Sequence, residues 1–319
     1  MTGPAQAFHA LADHLPAYDT GQQLPDATAY FDYYGLDFSA DFQGLHHRLG
    51  FIPSGDHRLA LQSWERANAT GTLYLVHGYF DHVGLYSHLV RFGLERGANV
   101  VAFDLPGHGL STGPRAEIAD FAEYRAAIAD VLAATSSLPG PRQVIAQSTG
   151  GAALMDFLQC GDPGAFDSVV LLAPLVWPHG WRRIRITYLL LHRFIDAVPR
   201  QFAENSQDPE FLEFLQSDPL QHDQIPACWI GALDRWLQAF LCRPPCDKPV
   251  LVLQGDNDGT VDWRRNLPVL QEHFPRARID MLSTGMHHLV NESPEVRREM
   301  LAKIATYLDG AGGDQATSD

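Results

Sequence analysis

The stretch Val144-Ile145-Ala146-Gln147-Ser148-Thr149-Gly150-Gly151 decides the fold. Val144 to Ala146 is a compact apolar run of the kind that fills a strand buried on both faces. Just beyond Ser148 the pattern turns helical, over Gly150 to Gln159. A strand that gives way to a helix across one serine has the form of a nucleophile elbow, G-x-S-x-G, whose sharp turn holds the Oγ clear of the sheet. Small residues two before and two after the serine let that turn close. Ala146 stands where the pattern has glycine, at a cost of one methyl group of clearance. The competing reading is a plain Ser/Thr helix N-cap following a strand.

Working outward, Leu73 to Val76, Val100 to Phe103, Val169 to Leu172, Val250 to Leu253 and Ile279 to Leu282 are further apolar runs. Leu59 to Trp64 alternates and suits an early antiparallel strand. Helical patterns over Tyr86 to Arg96, Ile118 to Ala134 and Pro294 to Leu308 lie between or after them. This alternation predicts an α/β fold, a mostly parallel central sheet flanked by helices, with its core at 46–174 and 248–309. Residues 1–45 read as a wrapping segment with an aromatic cluster at Tyr30, Phe31, Tyr33 and Tyr34. Residues 175–247 break the alternation with helical stretches at Ile184 to Val198, Phe211 to Gln216 and Trp229 to Phe240. They read as a helical cap inserted after the sixth strand, over the sheet end where open α/β sheets bind ligands. The tail 310–319 is expected to be disordered.

Strand ends also carry the remaining chemistry. Acyl transfer needs two backbone donors aimed at the developing oxyanion. The N–H of Thr149, directly after the serine, and that of Tyr79, after His77-Gly78, are the candidates. A serine nucleophile also needs a base, and the base a carboxylate to fix its tautomer. Leu253 to Asp258 and Gly285 to His288 each follow a strand, which gives the chain order Ser, Asp, His. Asp256, Asp258 and Asp262 compete for the acid, and His287 and His288 for the base; spacing does not separate them.

The 319 residues hold 23 Lys+Arg against 38 Asp+Glu, a formal charge of −15. That balance argues against nucleic-acid binding. No run reaches the length of a membrane-spanning helix, and the start, MTGPAQAFHALADHLPAYD, lacks a basic region and an apolar run of signal-peptide length. A cytoplasmic protein is expected. Of the cysteines at 160, 228, 242 and 246, the last two flank Arg-Pro-Pro, which suits a turn rather than a metal knuckle. Neither metal nor cofactor is expected.

Three blocks together resemble the monoacylglycerol lipase, lysophospholipase and serine-aminopeptidase-like branch of α/β-hydrolases, over about residues 45–308. His77-Gly78-Tyr79-Phe80-Asp81-His82-Val83-Gly84-Leu85-Tyr86 is similar to its HGxx(E/D)HxGxY block, Asp104 to Ser111 to its DxxGHGxS loop, and Asp218-Pro219-Leu220 to its DPL segment. The resemblance implies the α/β-hydrolase fold. Its G-x-x-D pattern carries the acid onto Asp258, and its H-x-L-x-N-E ending matches only from His287, which makes His287 the base beside Ser148. It also implies hydrolysis of a monoacylglycerol-, lysophospholipid- or short-acyl-type ester through an acyl-enzyme. An amidase or aminopeptidase on the same triad is the alternative, and a non-catalytic binding protein of this fold a more distant one. Ile184 to Ile195, mostly apolar with Arg182, Arg183, Arg185 and Arg193 around it, has two readings. One is a lid that shelters an acyl chain and touches a lipid interface. The other is a cap helix packed on the core with its arginines in water.

Overall fold

The computed structural model describes residues 4–19 and 26–313. Two short helices, α1 (Pro4–His14) and α2 (Thr28–Tyr34), lead into a hairpin of β1 (His46–Ser54) and β2 (His57–Glu65). Then follow β3 (Thr72–Val76), α3 (Ser87–Glu95), β4 (Asn99–Phe103), α4 (Phe121–Ala134), β5 (Arg142–Gln147), α5 (Thr149–Cys160) and β6 (Ser168–Leu172). The next segment holds α6 (Trp181–Leu191), β7 (Ala197–Pro199), α7 (Pro209–Ser217), β8 (Gln224–Pro226) and α8 (Ala227–Phe240). The chain closes with β9 (Val250–Gly255), α9 (Trp263–His273), β10 (Ala277–Leu282) and α10 (Pro294–Gly313).

Eight strands form one sheet in the order β1-β2-β4-β3-β5-β6-β9-β10. β1 and β2 pair antiparallel, as do β2 and β4; from β4 onward every pairing is parallel. The order turns back on itself between β3 and β5, where Val76 lies opposite Ala146. Such a reversal opens a crevice at the carboxyl ends of the strands. His77-Gly78 and Gln147-Ser148 therefore leave the sheet side by side. β3, β4 and β6 are buried at every residue, which is why they read as unbroken apolar runs.

The helix expected over Ile184 to Val198 is shorter. α6 ends at Leu191, and Ala197–Pro199 is instead strand β7, paired antiparallel with β8. Pro199 disfavours helical backbone at Val198 and has no N–H for a helix bond, so the helix cannot run through it. Helix α8 sits lower than its neighbours in sequence. Its Trp236 stacks on Phe121 of α4 at 5.0 Å between centroids, and its indole donates to Asp156 of α5 at 3.0 Å. Arg125 and Arg243 bracket the same buried carboxylate.

The aromatic cluster near the N-terminus closes on itself. Tyr30 and Tyr34 pack edge-on at 5.0 Å, and Phe8 of α1 lies edge-on to Tyr30 at 5.5 Å. α10 runs through Gly313, four residues into the tail expected to be disordered; the remainder of that tail lies outside the described residues.

Candidate active site

Ser148 occupies a backbone conformation that L-residues avoid, φ 51° and ψ −113°. Strain of this kind costs about 1–3 kcal/mol and persists only where the surroundings over-determine it. Here they do. The Ser148 N–H donates to Leu172 O of β6 at 2.9 Å, and its carbonyl accepts from Ala152 and Leu175. Gly150 lies against the last carbonyls of β3: a Cβ added there would sit 2.5 Å from Val76 O and closer still to His77 O. The position two after the serine thus demands glycine. The position two before does not, because Ala146 fits fully buried between Val76 and Leu171. The elbow forms with alanine in place.

His287 faces Ser148. Its Nε2 lies 2.9 Å from Ser148 Oγ, and its Nδ1 2.8 Å from Asp258 Oδ2. Asp258 also accepts from Gln254 Nε2 at 2.9 Å, Thr260 N at 2.8 Å and Val261 N at 3.1 Å. Burial alone would raise the Asp258 carboxyl, but the facing imidazole and these donors hold it below the ordinary carboxylate value. Burial works against a charged His287 as well, and the Asp258 carboxylate outweighs it, so His287 stays above the ordinary histidine value. A bond from Gln147 Nε2 to His287 O at 2.8 Å fixes the backbone of the histidine loop. Glu292, fully buried, holds that loop from the other side by accepting from Met286 N at 2.6 Å.

The rival residues have other work. Asp256 accepts from Thr284 N at 2.7 Å, and Asp262 stands at the start of α9. His288 Nε2 lies 3.3 Å from Asp81 Oδ1. Among the described residues, His287 is the imidazole that meets Ser148, and Asp258 the acid that meets His287.

Tyr79 and Thr149, the expected amide donors, both line the cavity with Ser148. Thr149 opens α5, so its N–H has no acceptor within the helix. Its hydroxyl is buried and has no partner among the described residues. A Cβ on Gly78 would lie 3.4 Å from Ser148 Cβ, so the glycine brings that backbone directly against the serine. His77 staples loops: its Nε2 accepts from Leu105 N at 2.8 Å and its Nδ1 donates to Gly78 O at 2.7 Å. Asp104 braces in the same way, accepting from Val83 N and Leu110 N at 2.7 and 2.8 Å.

Above Ser148 lies a cavity of about 300 Å³, lined mostly by apolar side chains from the core loops and from α6, β7, β8 and α8. Leu175, Trp181, Ile184, Val198 and Ile230 are among them. Ile184, Val198 and Ile230 also wall a second chamber of about 190 Å³ within the segment between β6 and β9. The Asp218 of the DPL segment ties this segment down. Its carboxylate bonds His82 Nε2 at 2.8 Å and accepts from Tyr34 OH at 2.6 Å, both side chains of the ion pair being fully buried. Burial opposes both charges, yet each holds the other: His82 is raised and Asp218 lowered from ordinary values.

Several residues here escaped the sequence. Gln147 and Gln254 look like ordinary strand-end polars; only tertiary contact gives Gln147 its partner, whereas Gln254 bonds Asp258 four residues on. Arg200 follows the unforeseen strand β7 and lines the cavity. Its one forewarning is the Pro199-Arg200 step that ends the helical pattern.

The chain is similar to known proteins in sequence and in structure. A monoacylglycerol lipase of Mycolicibacterium smegmatis is 28% identical over 278 residues, covering 81% of this chain and 95% of its own. The human monoglyceride lipase is 25% identical, covering 85% and 92%. Among solved structures, the Paleococcus ferrophilus monoacylglycerol lipase superposes with a TM-score of 0.69 at 22% identity, over 79% of this chain and 99% of that one. A Saccharomyces cerevisiae monoglyceride lipase variant gives 0.72 at 16%, over 82% and 95%. At such identities the structural likeness speaks for the fold, the α/β-hydrolase fold. The model of the family Hydrolase_4, described as serine aminopeptidase, S33, matches residues 67–294, from the approach to β3 through the histidine loop. The chain belongs to this family of α/β-hydrolases.

Proposed function

We propose that the protein is a carboxylic-ester hydrolase acting on monoacylglycerol- or lysophospholipid-type esters, with Ser148, His287 and Asp258 as its catalytic residues. The observation that carries this reading is the unbroken chain from Ser148 Oγ to His287 Nε2 to Asp258, 2.9 and 2.8 Å long, on the floor of a largely apolar cavity. His287 takes the Ser148 proton as Oγ attacks the ester carbonyl. The N–H groups of Tyr79 and Thr149 hold the tetrahedral oxyanion. The alcohol leaves with the proton from His287, and water then cleaves the acyl-enzyme by the same route. Asp258 keeps Nδ1 protonated, so that Nε2 faces the serine as an acceptor. Within the segment 175–247 the part before α8 serves as the cap, while α8 also packs on α4 and α5. The apolar lining from both shelters the acyl chain.

The cavity chemistry favours an ester over a peptide. Recognition of a peptide ammonium group calls for a free carboxylate, and among the described residues the cavity lining offers only Asp81. That carboxylate is engaged by Gly78 N, Tyr86 OH and His288. The outer face of α6 suits contact with a lipid surface. Leu190 is 68% exposed and Phe194, just past its end, 83%, with Arg182, Arg183 and Arg193 close in sequence. No helix among the described residues is long and apolar enough to cross a membrane.

A fluorophosphonate probe should label Ser148, located by mass spectrometry. Hydrolysis of p-nitrophenyl esters from C2 to C16 should be lost in Ser148→Ala. Failure to label, with equal turnover by both proteins, would overturn the reading.

A further inference from the structure

Arg200 is the single Arg or Lys among the described residues lining the cavity above Ser148. It follows β7, and its backbone N–H is tied to Asp223 O at 2.8 Å. The guanidinium lies over the rings of Phe80 and Phe202, 4.1 and 4.4 Å from their centroids. One of its nitrogens donates to Gln221 Oε1 at 2.6 Å and to His222 O at 3.2 Å. Both acceptors are neutral. Among the described residues no carboxylate comes within ion-pair distance of it. Burial pulls its pKa down to about 10, against the opposing pull of the Asp81 and Asp218 carboxylates beyond ion-pair distance.

Arg200 is half-buried, and a partly desolvated charge gains from an opposite charge beside it. Here two of the five N–H donors are spent on neutral oxygens by Nη1, and the rest of the planar fork is left for a ligand. Gln201, Phe202 and Ala203, next in the chain and also in the lining, are exposed. This places Arg200 at the mouth, where an ester's head group stands when its chain occupies the apolar interior. A planar guanidinium held between rings matches a phosphate or carboxylate with two parallel hydrogen bonds.

We propose that Arg200 forms an anion-binding subsite at the cavity mouth, and that the preferred ester carries a negatively charged phosphate or carboxylate head group. The substrate side of this inference rests on the ester-hydrolase reading above; the binding side does not. A second role for the same contacts is a brace between the cap and Phe80. The two differ in what they do to the ratio of anionic to neutral binding, since a brace affects both ligands alike.

Ether-linked 1-O-alkylglycerol and its 3-phosphate resist acyl transfer, so their binding reads the subsite apart from turnover. Each is titrated into the Ser148→Ala protein, followed by the fluorescence of Trp181 and Trp229 in the cavity wall. The phosphate should bind at least about tenfold tighter than the neutral ether, a margin that added salt narrows. In Ser148→Ala/Arg200→Gln the ratio should fall to near one, and Arg200→Lys should keep part of it. A 1-O-alkylglycerate distinguishes the anions: equal preference assigns both, and preference for phosphate alone assigns the phosphate monoester. A ratio below about threefold with Arg200 present, or one unchanged in Arg200→Gln, overturns the proposal. Retained preference with no hydrolysis of any ester would sink the hydrolase reading and leave the subsite standing.

Discussion

Gly150→Ala tests how tightly the elbow is built. The new Cβ would start 2.5 Å from Val76 O and 2.9 Å from the carbonyl carbon, with His77 O nearer still. Carbon settles against such atoms at about 3.5 Å, so the first turn of α5 must back away from β3 by on the order of 1 Å. Neither side yields readily. Val76 is locked in the ladder with Phe103 and Ala146, and on the far side Gly151 already has Pro174 Cβ 3.1 Å from where its own Cβ would stand. Overpacking of this sort costs about 1–3 kcal/mol. The functional effect is larger, because the shift carries Ser148 Oγ off His287 Nε2 and moves the Thr149 N–H. A misplacement of about 1 Å reduces turnover roughly a hundredfold. The assay pairs kcat on a p-nitrophenyl ester and the rate of fluorophosphonate labelling with a thermal melt. Turnover within about threefold of the parent, with an unchanged melting temperature, would refute the packing argument.

Two further expectations concern pH. Because Asp258 holds His287 above the ordinary histidine value, kcat/KM should rise with pH through an inflection above about 6.5. Asp258→Asn should move that inflection down, as burial is then opposed only by Asp81, and lower kcat by about 10³–10⁴; an inflection that stays in place counts against the pairing. The His82–Asp218 pair should stabilise the fold fully between about pH 4 and 6.5, the ordinary values of the two groups. Its effect fades as pH falls through the lowered pKa of Asp218 or rises through the raised pKa of His82. The melting deficit of Asp218→Asn should therefore be greater at pH 5.5 than at pH 9, and equal deficits would contradict the linkage.

Much of the sheet could be read from the chain, since strands buried on both faces need continuous apolar runs, and Val169 to Leu172 can hardly be anything else. β1 was harder. Gly50 and Pro53 interrupt its pattern, as an edge strand allows. α9 also hid itself, with Pro268 inside it and arginines at 264 and 265 where a buried stripe would begin. At the site, residue spacing left His287 and His288 level, and only family resemblance favoured the first. Geometry separates them, because His288 turns to Asp81. Gln147, Asp218 and Arg200 act through partners tens to nearly two hundred residues away, and no local pattern announces such a pairing.

Helix α8 has a consequence for engineering. Parallel neighbours β6 and β9 must be joined by a crossover, and α8 is its helical limb, with Trp236 and Arg243 anchored to Asp156 on the sheet's covering layer. The part above the strand ends that is open to exchange is accordingly 181–226. A graft cut at 175 and 247 would strip a layer from the sheet along with the lid, whereas one that respects Pro226 could give the same catalytic floor a different roof.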